Sequence, residues 1–150
     1  MLLSRCGFFL ALALITGAAY PGEGLVALKS PHGVKATMDR LETAVKARGL
    51  HVFLRLDHAA GAAKVGRTLR PTQLLVFGNP QGGTPLMECA QTTGIDLPLK
   101  ALAWEDAAGQ VWLGYNDPQF IVDRHRAREC GAVAVKLGKA LAGMMQEAVK

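Results

Sequence analysis

The chain has 150 residues, 50% of them hydrophobic, and 17 basic against 12 acidic side chains give a net charge of +5. That length supports one core and not two. No run of four Lys or Arg occurs and neither Trp sits in a basic patch, so the clustered charge of a nucleic-acid-binding face is missing and no nucleic-acid partner is expected.

Residues 1–19 pair one cation, Arg5, with an apolar run from Phe8 to Ile15 that closes in Gly17, Ala18 and Ala19. This is the pattern of a secretory signal peptide. The run is shorter than the roughly 20 residues that span a bilayer. No later stretch approaches that length, so no membrane span is expected after cleavage. Cys6 precedes the apolar run, which argues against a lipoprotein anchor. Cleavage after Ala19 leaves 20–24 as a flexible lead-in to one domain over 25–150, exported to a bacterial periplasm or secreted. Without Arg5, sixteen basic residues face twelve acidic ones, a net +4.

Leu25 to Lys29 suits a first strand. Val34, Met38, Leu41 and Val45 recur at helical spacing and share one face, and Gly49 stands where a left-handed residue would end that helix. Residues 51–57 alternate, with Val52, Leu54 and Leu56 on one side of a strand. Ala59 to Val65 reads as a short helix. Residues 73–77 form a continuous apolar strand buried on both sides. Residues 78–83 are turn chemistry, after which Thr84 caps a helix with Pro85 at its first position.

Strands follow at Leu97–Trp104 and Val111–Tyr115, joined by a hairpin-type loop over 105–109. Asp117-Pro118 opens a final helical region. There Cys130, Val133, Leu137, Leu141, Met144 and Ala148 mark one apolar stripe, with a break expected near Gly131. No repeat or linker interrupts the chain. The fold class is α+β, an antiparallel or mixed sheet with helices packed on one face.

Eight short motifs occur in order. Asp57-His58, Leu69-Arg-Pro-Thr72, Phe77-Gly-Asn-Pro80, Gly83-Thr-Pro-Leu-Met87 and Ile95-Asp-Leu-Pro-Leu-Lys100 come first. Trp104-Glu-Asp106, Tyr115-Asn-Asp-Pro118 and Arg124-His125 follow. Over about residues 25–147 the chain resembles the domain-of-unknown-function 302 family. The resemblance implies a TBP-like β-α-β4-α fold, often a homodimer, in bacteria and archaea. It implies no established reaction.

Cys89 and Cys130 are an even pair in a chain read as exported, which invites a disulfide; two separate thiols are the alternative. The 78–84 segment, with Asn79, Gly82, Gly83 and Thr84, offers backbone N–H groups that can cradle a small anionic ligand. The plain alternative is a turn in which Asn79 satisfies its own backbone and the glycines supply positive φ.

His58 and His125 are candidate general bases or metal ligands, or hydrogen-bonded structural histidines. Asp57 and His58 point to opposite faces of a strand, so Asp57 is not expected to orient His58. Asp96 and Lys100 lie about 13 Å apart if the strand is extended, too far to pair, so Lys100 is a candidate for an anion, with a solvated strand face as the plainer reading. Capping accounts for Asp117 but not for Tyr115 or Asn116. No metal-ligand spacing occurs, no nucleophile elbow surrounds Ser30, and no cofactor is expected. The leading reading is a non-enzymatic small-ligand-binding or accessory module. An acid/base enzyme using His58 or His125, with Lys100 or Arg124 stabilising charge, is the alternative; a metal or redox role through His and Cys is another.

Overall fold

The computed structural model describes residues 22–150; the leader read over residues 1–19 lies outside the described residues. Alternating side chains build five strands, β1 (Leu25–Ser30), β2 (His51–Asp57), β3 (Thr72–Gly78), β4 (Leu99–Glu105) and β5 (Val111–Asn116). They join in the order β1-β5-β4-β3-β2, and every neighbouring pair is antiparallel. The intervening helices are α1 (Val34–Ala47), α2 (His58–Lys64), α3 (Pro80–Cys89), α4 (Pro118–Arg124) and α5 (Gly131–Ala148). The fold is α+β with an antiparallel sheet. Helix α1 carries the chain from one edge strand to the other.

The main core lies on the inner face of the sheet. Phe77 and Leu75 of β3, Ala101 and Ala103 of β4 and Leu113 of β5 meet Met38, Leu41 and Val45 of α1 and Leu141, Met144 and Met145 of α5. A second, smaller core gathers Leu86 of α3, Val122 of α4, and Cys130 and Ala134 at the start of α5. Cys89 and Cys130 are joined by a disulfide, Cα atoms 6.2 Å apart, which ties the end of α3 to the start of α5. The expected break near Gly131 is present: a 3-10 turn over Arg128–Cys130 precedes α5.

The lead-in residues that are described do not hang free. Gly24 has φ +77°, and a Cβ there would lie 2.2 Å from the Phe120 ring, so only glycine fits. Its carbonyl accepts from Asp117 N at 2.8 Å. On the outer face of the sheet the Trp104 ring lies against Gly114, 3.0 Å from where a Cβ would stand.

Three expectations are corrected. Helix α3 begins at Pro80, not Thr84, and its cap is Asn79, whose Oδ1 accepts from Gly82 N at 2.9 Å. Residues 80–84 are therefore helix rather than loop, and Pro85 lies inside it. A bulge between Val52 and Leu54 breaks the alternation of β2. Val52 packs on the core while Leu54 and Leu56 are 49% and 40% exposed, because one extra residue turns every later side chain to the other face. The third is the start of β4, which is Leu99 and not Leu97; Asp96 instead ends a 3-10 turn over Gln91–Ile95.

The bulge places Arg55 under α1. Its guanidinium donates to Asp39 Oδ1 at 2.6 Å, Glu42 Oε2 at 3.3 Å and Gln73 Oε1 at 2.8 Å. The ammonium of Lys35, and after it the guanidinium of Arg55, hold the Asp39 carboxyl below its usual range. Lys46 first, with Arg55 adding, does the same for Glu42. A folded-state pKa below the unfolded one contributes stability that is complete above the unfolded value and lost as pH falls through the folded value.

Two outcomes follow. The thermal midpoint should be flat from about pH 7 to about pH 5 and fall below about pH 4, and Arg55→Met should flatten that fall; equal acid slopes for the two proteins would remove the role given to Arg55. Cys89 and Cys130 are separated by 41 residues, and closing such a loop lowers unfolded-chain entropy enough to stabilise by about 3–4 kcal/mol. Urea unfolding of Cys130→Ser should show a loss of that order, and an unchanged midpoint would exclude it.

Candidate functional site

At the Gly78 end of β3, the sheet, α3 and α5 do not close on one another. They leave a cavity of about 400 Å³. Asn79, Gly82, Gly83 and Thr84 form its α3 wall, Leu137, Ala140 and Met144 its α5 wall, and Leu97, Pro98 and Leu99 its floor. Phe53 also lines it and is 59% exposed. The bulge in β2 re-aims this side chain, a common use of bulges at sheet edges.

The cavity lies where the two cores part. Leu137 packs with the smaller one and Met144 belongs to the larger. None of the residues lining it is charged.

The glycines of α3 do not act as the sequence implied. Gly82 and Gly83 lie within the helix and neither has positive φ, so turn formation does not explain them. Glycine inside a helix costs about 1 kcal/mol against alanine. At Gly82 the cap offers a reason, since a Cβ there would crowd Asn79 Oδ1 at 3.3 Å. At Gly83 a Cβ would merely touch Leu97 Cδ1 at 3.4 Å. Gly83 is required by neither its backbone nor its neighbours; what its missing side chain leaves is cavity.

The remaining candidates stand elsewhere. His58 opens α2, and the Asp57 carboxylate is engaged with Ala60 N at 2.8 Å and Gln73 Nε2 at 3.0 Å. Tyr115 is a core residue, 7% exposed, and burial, with Asp117 nearby, pushes its phenol pKa up. Asn116 is exposed at the end of β5. Asp117 caps α4 as read, accepting from Gln119 N at 2.9 Å.

Lys100 does not wait for an anion. Its ammonium curls back to the carbonyls of Asp96 at 2.8 Å and Pro98 at 2.7 Å, because the segment before β4 turns instead of extending. Burial lowers its pKa, with Asp96 opposing. The separation expected along an extended strand is thus replaced by direct contact with the Asp96 backbone.

His125 joins a polar cluster of its own. Its Nε2 lies 2.6 Å from Asp96 Oδ2 and its Nδ1 2.9 Å from Thr92 Oγ1, while Arg124 donates to Asp96 Oδ1 at 2.9 Å. Both ring nitrogens are engaged, and the side chain is 9% exposed. The cluster pins α4 to the 3-10 turn, which is the structural role weighed for this histidine. The cysteines that a redox or metal role would use are bonded to each other. Among the described residues no group of three His, Cys, Asp or Glu side chains could hold a metal ion.

Sequence reasoning found the α3 side of the cavity and missed the rest. Leu50, Gly94, Leu137, Ala140 and Met144 come from outside α3. The available signal was Gly82-Gly83 beside a helix start.

Chains named fluoride-specific ion channel FluC 1 from Brucella suis and Brucella abortus are each 49% identical to this one over 114 residues. The match takes 76% of this chain but only 45% and 42% of theirs, so the chain spans less than half the length of these relatives. The crystal structure of an uncharacterized conserved DUF302 protein from Bacillus stearothermophilus superposes with a TM-score of 0.77. It is 20% identical and covers 85% of this chain and 99% of its own, a likeness of fold alone. The family described as "Domain of unknown function DUF302" matches residues 26–148, and this chain belongs to it.

Proposed function

We propose that this domain is an exported small-ligand-binding module and that its ligand site is the cavity between α3, α5 and the end of the sheet. Gly83 carries the reading. A helix accepts the cost of a glycine whose only evident consequence is open space. The volume falls in the lower part of the range typical of small-molecule sites. The acid/base alternative has less support, since His125 is engaged by Asp96 and Thr92, Lys100 by backbone carbonyls and Arg124 by Asp96, while His58, at the start of α2, does not line the cavity. Export is supported by the leader pattern and agrees with a disulfide, which persists in oxidising compartments.

The homodimer implied by the family resemblance is proposed to use the outer face of the sheet. Helices α1 and α5 cover only the inner face. Leu54, Leu56 and the stacked Trp104 and Trp112 are left on the other side.

A second reading rests on the relatives. A domain that forms less than half of chains named as fluoride channels is suited to act as the accessory part of a membrane channel. Among the described residues no helix is long and apolar enough to cross a membrane.

Native mass spectrometry of the mature protein from its own compartment should show a small co-purified mass and a dimer. Gly83→Leu, which fills the cavity, should lose that mass while unfolding at the same or a slightly higher midpoint, as removal of a helical glycine allows. A variant that retains the mass would refute the site. For the accessory reading, the tagged domain should retain a membrane channel in detergent extracts; recovery of the domain alone would count against it.

A further inference from the structure

We propose that the ligand is an uncharged medium-chain alkyl compound, its chain buried in the cavity and its polar end held at the Asn79–Thr84 rim. This rests on the cavity being the ligand site and names the chemistry of its occupant.

The lining decides the class. An ion taken out of water needs a partner charge or a full set of hydrogen bonds, and no lining residue is charged. The cations near this end of the fold are committed elsewhere, Lys100 to backbone carbonyls and Arg124 to Asp96. The small anion expected at this segment would therefore be buried without a counter-charge. The walls are instead aliphatic. Leu97, Leu99 and Leu137 are joined by the thioethers of Met87 and Met144, which adapt to an irregular or flexible guest.

Size and rim add detail. About 400 Å³ accommodates about a dozen non-hydrogen atoms at the ~30 Å³ that one water occupies in the liquid. Phe53, 59% exposed at the mouth, gains cover when a chain enters. Asn79 spends its Oδ1 on the α3 cap, which leaves its Nδ2 donors directed to no residue among those described. Thr84 lines the same wall. A carbonyl or hydroxyl head fits these two groups, and neither neutralises a carboxylate.

The test is a homologous series, hexanol, octanol and decanol, titrated calorimetrically against the mature disulfide-bonded protein, with octanoate as the charged twin of octanol. Affinity should rise about threefold to fourfold per methylene until the cavity is full, and octanol should bind at least tenfold more tightly than octanoate. Gly83→Leu, and independently Ala140→Leu on the facing wall, should abolish both trends while leaving the far-UV spectrum intact. Affinity independent of chain length, or octanoate equal to octanol, overturns the alkyl assignment. If the chain-length series is flat but Gly83→Leu still removes a co-purified mass, the site stands and only the ligand class falls. If neither variant alters any binding, both fall.

Discussion

Helix α5 must satisfy two cores at once, and the rest of the architecture is arranged around that demand. Its second half, with Leu141, Met144, Met145 and Ala148, closes the inner face of the sheet beside α1. Its first half extends beyond what that face can cover. Ala134 would be left in water unless other elements packed on it, and α3 and α4 do so through Leu86 and Val122. Apolar surface needs cover wherever the stripe runs, so a second core forms at the end of the first.

The two cores share one helix, and the seam between them is where the cavity opens. Leu137 and Met144 stand on either side of that seam, less than two turns apart on α5. The disulfide holds the smaller core where area alone would be weakest, tying α3 to the start of α5. It thereby fixes the separation of two cavity walls. On the opposite side, the bulge in β2 does two things with one inserted residue: it sends Phe53 toward the cavity mouth and Arg55 under α1.

The polar features that attract attention in the sequence are largely absorbed by this framework. Asp57, Asn79 and Asp117 each cap a helix. Asp96, Thr92, Arg124 and His125 bind one short connection to another. What is left without a structural employer is apolar and concave, which is why the functional reading turns on space and not on a reactive group. The same reasoning separates Gly24, which the Phe120 ring and a positive φ make obligatory, and Gly114, which the Trp104 ring crowds, from Gly83, which nothing around it requires.

The sequence by itself determined the elements whose signal is local. The 3.6-residue spacing of Val34, Met38, Leu41 and Val45 makes α1, the apolar run at 73–77 makes β3, and Asp117-Pro118 starts α4. The order of eight motifs was enough to suggest the family. Tertiary structure decided what depends on partners far along the chain, the bulge at β2 and the pairing of Cys89 with Cys130, and only the folded backbone showed the earlier start of α3 at Pro80 and the turn that brings Lys100 back to Asp96. The candidate site divides the same way. Its α3 wall was legible because Asn, Pro and Gly carry local backbone chemistry. Its α5 wall was not, because Leu137 and Met144 look like any other apolar stripe until a second core forms beside the first and leaves a gap between them.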